Sequence, residues 1–229
     1  MKKIICFGDS LTWGYIPVSG GRYPEGVRWP SLLGQYLDCT VVEEGLNGRT
    51  SVFRDPLAPW GTGADYIQAC VLSHLPADLL ILMLGTNDLK TYLCNCPDAC
   101  AGGVVAVANL ARAAAPQLPI LILAPPPIGR HITQLDPALG MMAQLNEQSI
   151  ENSWKLGNAI QSRAQLAGFA FLDTGAFVSA SQADAVHLDE QGHRTLAQAL
   201  SGQIADLFPG WVLPSNNAQD KIKKKEVTT

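Results

Sequence analysis

The chain has 229 residues, and none of its apolar runs approaches the roughly 20 residues that a membrane span needs. Lys2-Lys3 is followed by only four or five apolar residues before Gly8-Asp9-Ser10, too few for the core of a secretory signal. The protein is therefore expected to be soluble and cytoplasmic, without a membrane partner. Positive charge is also scarce. A formal charge of −4 argues against a nucleic-acid partner. The single basic cluster, Lys221-Ile222-Lys223-Lys224-Lys225, sits in a polar stretch, and without Ser215 to Thr229 the body carries −6. That stretch, Ser215 to Thr229, has little apolar surface to fold with, and residues 211–229 are expected to be a disordered tail. Neither a G-x-G-x-x-G fingerprint nor a P-loop is present, which removes the usual phosphate cradles. There is no internal repeat and no interior linker. With 47% hydrophobic residues, 1–210 is expected to form one domain around a full core.

The six cysteines stand at 6, 39, 70, 94, 96 and 100. Cys94, Cys96 and Cys100 form C-x-C-x-x-x-C, which invites a metal reading. With no C-x-x-C pair and no histidine nearby to complete a tetrahedral site, free thiols are the expectation. Cys6 reads as strand core and Cys70 as helix.

What the sequence does contain is a regular alternation of strand and helix signals. Strands are expected at 3–7, 40–44, 78–84, 119–124 and 169–173. The runs at 78–84 and 119–124 are almost continuously apolar, as for parallel strands covered on both faces. Helical patterns lie near 29–37, 63–74, 102–115, 138–167 and 190–207, with Gly168 as a C-terminal cap. Such alternation implies an α/β fold with a parallel sheet. The Gly- and Pro-rich segments 14–28, 53–62 and 125–137 are expected to rim a site.

The most informative block is Phe7-Gly8-Asp9-Ser10-Leu11. It follows the apolar run Ile4-Ile5-Cys6-Phe7 and places a serine at the carboxyl end of the first strand, where α/β sheets hold reactive groups. A serine hydroxyl is a poor nucleophile until a base takes its proton and an acid orients that base. Of the histidines at 74, 131, 187 and 193, His187 lies in Asp184-Ala185-Val186-His187, a spacing that lets a loop turn the carboxylate back onto the ring. Asp173, after the last strand, is the competing carboxylate. His193 falls in the first turn of the last helix, His74 at a helix end and His131 in a loop. An oxyanion also needs donors. Gly85-Thr86-Asn87-Asp88 follows the strand at 78–84, so the Asn87 amide is one candidate, with Asp88 bracing the loop. Thr86 or Asn87 reads equally well as a helix N-cap. Gly45-Leu46-Asn47-Gly48-Arg49-Thr50 follows the second strand, where glycines permit an outward N–H.

These four blocks, in this order and spacing, resemble the SGNH hydrolase (GDSL esterase/lipase) family over residues 4 to about 208. The resemblance implies Ser10 as nucleophile, His187 as general base and Asp184 as its orienting acid. It assigns the oxyanion to the N–H groups of Ser10 and Gly48 and the side chain of Asn87, with Gly45 a turn residue. It also implies a flavodoxin-like three-layer α/β/α sandwich, with a five-stranded parallel sheet of order 2-1-3-4-5. Cys6-Phe7-Gly8-Asp9-Ser10-Leu11-Thr12-Trp13-Gly14, Val27-Arg28-Trp29, Glu43-Glu44-Gly45-Leu46, His74-Leu75-Pro76 and Met83-Leu84-Gly85-Thr86-Asn87-Asp88 together resemble the bacterial arylesterase/acyltransferase subgroup. That likeness implies hydrolysis of short-chain or aryl esters, with water or an alcohol as acyl acceptor, no cofactor, no metal, and a homo-oligomer. The segment 91–103, with its three cysteines and Pro97, departs from the subgroup.

Trp13, Tyr15, Trp29 and Trp60 lie in or near the expected rim, and Trp13 is the first candidate for a substrate pocket. Carbohydrate O-deacetylases, thioesterases and lysophospholipases share the same triad, and lack of export argues against a secreted polysaccharide substrate. A non-catalytic small-ligand-binding module is the reading of another class. The absence of G-x-S-x-G argues against an α/β-hydrolase.

Overall fold

The computed structural model describes residues 1–135, 144–208 and 210–211. Among these, five parallel strands form one sheet in the order β2-β1-β3-β4-β5. They are β1 (Lys3–Gly8), β2 (Thr40–Gly45), β3 (Leu79–Met83), β4 (Ile120–Ala124) and β5 (Ala170–Asp173). Six α-helices accompany them: α1 (Ser10–Trp13), α2 (Trp29–Leu37), α3 (Gly63–His74), α4 (Pro97–Ala114), α5 (Glu147–Leu166) and α6 (Glu190–Leu207). The expected sheet order and element alternation are borne out.

The period of two along each strand divides the core into two layers. Ile5, Phe7, Leu80, Leu82, Ile120 and Ile122 point to one face, packed by α3, α4 and α5. Ile4, Cys6, Leu79, Ile81, Met83, Leu121 and Leu123 point to the other, packed by α2 and α6. Burial on both faces is why β3 and β4 read as unbroken apolar runs. No described helix is long and apolar enough to cross a membrane.

Two expected helices differ at their starts. The one expected at 102–115 begins at Pro97, which occupies the first turn where its missing N–H costs nothing, with Asp98 beside it. Cys100 is thereby a buried helical residue, while Cys94 and Cys96 precede the helix. The helix expected at 138–167 begins at Glu147. Asn146 caps it by accepting from Ser149 N–H at 2.9 Å, and Ser149 Oγ accepts from Asn146 N–H at 3.3 Å. Positions 138–143 of that expectation, and the tail from 212 onward, lie outside the described residues. Trp211, placed in the tail on sequence grounds, is buried against the α2–α6 side, with Lys2 Nζ 4.3 Å over its ring.

Register decides which loops meet. Gly8 pairs with Gly45 on one side and with Met83 on the other, so β1, β2 and β3 end level. Their following residues share one sheet edge, at the point where the strand order reverses between β1 and β3.

Candidate active site

Ser10 is the first residue of α1. Asp9 caps this short helix, its Oδ1 accepting from Leu11 N–H at 2.9 Å, and Gly14 ends it in the left-handed region. The tight turn needs room from β2. A Cβ at Gly45 would overlap the backbone of Trp13, so Gly45 is there for close approach.

His187 lies in the loop between β5 and α6, next to Ser10. Its Nε2 is 2.9 Å from Ser10 Oγ, and its Nδ1 is 2.6 Å from Asp184 Oδ2. The loop is wound by Ala185, whose φ of 62° is uncommon for a residue with a Cβ. That turn lets Asp184 Oδ1 accept from Val186 N–H at 3.0 Å, His187 N–H at 2.9 Å and Ser181 Oγ at 3.2 Å. Burial opposes ionisation of Asp184. The hydrogen bonds from the His187 ring and the two backbone N–H groups outweigh it and hold the carboxyl below its ordinary range. Asp173, the competing carboxylate, instead caps the turn after β5 by accepting from Gly175 N–H at 2.9 Å.

The Asn87 amide ties the serine to the loop after β2. Asn87 Nδ2 donates to Asp9 Oδ2 at 3.3 Å and to Arg49 O at 3.2 Å, so its neighbours in space flank both Ser10 and Gly48 in sequence. Gly48 has φ 78°, the conformation a glycine is needed for. No described group accepts the N–H of Ser10 or of Gly48. Asn87 opens a short 3-10 turn whose N-cap, Thr86, makes no side-chain capping hydrogen bond. Asp88 braces the loop as expected, Oδ1 accepting from Ser51 N–H at 2.9 Å and Ser51 Oγ at 3.1 Å. Burial raises Asp9 to about 6 and Asp88 to about 7. Arg49 is buried too, its Nη1 donating to Gly8 O at 2.9 Å and to Glu44 O, and its guanidinium lying 4.1 Å over Phe7.

All three Gly- and Pro-rich segments touch this edge. Tyr15 stacks on His187 with ring centroids 4.2 Å apart. Gly129 N–H donates to Ala185 O at 2.7 Å. Asp55 pairs with buried Lys90 at 2.7 Å, and the Lys90 Nζ lies 4.0 Å from where a Cβ on Gly48 would stand. Trp13 reaches the histidine through Tyr15, its ring tilted at 6.5 Å against the tyrosine and covered by Arg22. Trp29 is a core residue, with Nε1 donating to Leu11 O at 3.0 Å, and Trp60 is exposed.

The other histidines are placed elsewhere. His74 pairs with Glu44, and His131 Nε2 lies 3.3 Å from Ser181 O. His193 is buried, packs edge-on against Tyr23, and its Nδ1 accepts from Trp29 N–H at 3.3 Å. Burial lowers its pKa to about 4, so it is neutral at pH 7. His193→Ala should leave kcat/KM nearly unchanged yet cost about 1–3 kcal/mol, because it orphans a buried N–H. In the wild type, the unfolded chain takes up a proton on His193 below pH 6.5 that the folded state refuses until about 4. Wild-type stability is therefore lost over that window, and the gap to the variant narrows as pH falls. Urea titrations of both proteins between pH 7 and pH 4 measure this; a gap that widens would contradict it.

Residues 6–195 match the GDSL-like lipase/acylhydrolase family. No curated protein matches the chain. The structure is similar to that of the native M. smegmatis aryl esterase, with 33% identity, a TM-score of 0.83, and coverage of 91% of this chain and 100% of that one. It is similar to the same degree to Est24, a carbohydrate acetylesterase from Sinorhizobium meliloti, with 31% identity, a TM-score of 0.82 and the same coverage of both chains.

Proposed function

Since the chain belongs to the GDSL-like lipase/acylhydrolase family, whose match takes in every block around Ser10, we propose that it is a serine esterase of short-chain or aryl carboxylic esters. The observation that carries this reading is the unbroken hydrogen-bonded path from Ser10 Oγ through His187 to Asp184.

His187 Nε2 takes the Ser10 proton as Oγ attacks the ester carbonyl, and ionised Asp184 stabilises the imidazolium that forms. The Tyr15 ring face lies against that cation and adds to its stabilisation. The tetrahedral oxyanion accepts from the N–H groups of Ser10 and Gly48 and from the Asn87 amide. Each such donor contributes on the order of 3 kcal/mol to lowering the barrier. Both amide hydrogens of Asn87 are held at 3.2 and 3.3 Å, the long end of the hydrogen-bond range. A charged oxygen therefore competes for one of them without breaking a strong bond. The imidazolium returns its proton to the departing alkoxide, leaving an acyl group on Ser10. Water, or an alcohol acceptor, then attacks the acyl-enzyme with His187 as base again.

The equal likeness to a carbohydrate acetylesterase favours a second substrate class, O-acetylated sugars, handled by the same residues. One panel separates the two: p-nitrophenyl esters of increasing acyl length beside peracetylated sugars, without added metal. The expected result is turnover that is fastest on acetate to butyrate and falls on longer chains. Preference for sugar acetates over aryl acetates would move the assignment to the second class. A maximum on long chains would overturn both.

A further inference from the structure

The end of β2 and the last two turns of α3 bring together three metal-ligand types that the ester chemistry does not use. Glu44, Cys70 and His74 each present one donor atom, and these atoms lie within 4.8 Å of one another. Cys70 and His74 stand at i and i+4 on one helix face, and Glu44 meets them from the strand, its Oε1 2.8 Å from His74 Nε2. Cys70 is buried, while the side chains of His74 and Glu44 remain 30% and 20% exposed, which leaves a route from solvent.

We propose that Glu44, Cys70 and His74 form a binding site for a zinc-class divalent cation, separate from the Ser10 centre. Thiolate and imidazole donors select zinc, cobalt or nickel over calcium and magnesium. Bond lengths of about 2.3 Å to sulfur and about 2.0–2.2 Å to nitrogen and oxygen put tetrahedral ligands about 3.3–3.7 Å apart. From separations within 4.8 Å the donor atoms need to shift by only about 1 Å to reach that spacing, the 2.8 Å Glu44–His74 hydrogen bond opening to admit the ion. Binding exchanges the Cys70 thiol proton, released to solvent, for the metal–sulfur bond, and a water completes the fourth position.

The surrounding cations leave the donors available. Arg49 spends its guanidinium on the carbonyls of Gly8 and Glu44 and on the Phe7 and Tyr66 rings, and Lys3 Nζ donates to the His74 carbonyl at 3.2 Å. The thiolate and the Glu44 carboxylate together match the two charges of the ion. Because Glu44 runs directly into Gly45-Leu46-Asn47-Gly48, the ion would clip α3 to the strand that carries the Gly48 loop. The ion would thus act on the fold rather than on the ester chemistry, and the site stands whether or not the protein proves to be an esterase.

Cobalt(II) titration of the full chain tests this. One cobalt per chain is expected, with a thiolate-to-cobalt absorption band in the near ultraviolet and the strong visible bands of four-coordinate geometry. Ser10→Ala should bind as the wild type does. Cys70→Ser should abolish the ultraviolet band. Because that change buries a hydroxyl, His74→Gln at a partly exposed position is the second variant. By removing a ligand outright it should weaken binding roughly 100-fold or more. Zinc should also raise the Tm of the wild type and not that of His74→Gln. No band, or a band that survives Cys70→Ser because Cys94, Cys96 and Cys100 hold the cobalt, would overturn the proposal.

Discussion

Ser10→Ala should lower kcat on p-nitrophenyl acetate by about 10⁵–10⁶-fold, the size of effect seen when a triad serine is removed. No other hydroxyl can substitute, because the path to His187 Nε2 starts at Ser10 Oγ, 2.9 Å away. The fold should survive. The side chain is buried, but it gives up a single hydrogen bond, worth about 1 kcal/mol. Asp9 still caps α1 through Leu11 N–H, and Gly14 still closes it. The measurement is therefore a pair: turnover with purified protein, and the Tm of the same preparation. Activity within tenfold of wild type, with the fold intact, would remove Ser10 as the nucleophile.

Asp184→Asn should cost about 10⁴-fold in kcat with little change in stability, and the reason is the hydrogen-bond pattern around that carboxylate. Oδ1 accepts from two backbone N–H groups and the Ser181 hydroxyl, all fixed donors of the loop. An asparagine oxygen must occupy that side. Its NH2 then faces His187 Nδ1, which has to accept, leaving the ring proton on Nε2. That tautomer points a donor at Ser10 and cannot take its proton. The loss should appear in kcat, while KM for a small ester stays close to wild type. If Asp184→Asn retained most of the wild-type kcat, the orienting role would pass from Asp184 to another group.

The residues of the proposed site were legible as four short blocks because each follows a strand. Apolar runs mark the strands, Gly-Asp-Ser and Gly-x-Asn mark where the first three end, and Asp-x-x-His marks the loop before the last helix. Helix starts were less legible. Pro97 and the Asn146–Ser149 capping box are recognisable start signals, but cysteines around the first and continued helical periodicity before the second obscured them. The stacking of Tyr15 on His187 left no trace in sequence, since the two are far apart along the chain. Nor did the double engagement of the Asn87 amide. The Asp-x-x-His spacing did favour Asp184 over Asp173, which ends β5 eleven residues earlier. The difference is that Ala185 adopts a positive φ and folds Asp184 onto the ring, whereas Asp173 is spent on Gly175.

Composition and pattern were enough to specify the layered α/β architecture, because alternation along a strand and periodicity along a helix are local and repeat in every element. They were enough, too, to name a serine, a histidine and an asparagine as one constellation. Which atoms of those residues meet is a matter of register and loop winding. The level ends of β1, β2 and β3 and the left-handed turn at Ala185 bring Ser10, Gly48, Asn87 and His187 to one edge of the sheet. The same packing sets Glu44 against Cys70 and His74. Contacts of this kind join residues far apart in the chain, so they arise only once the sheet has closed.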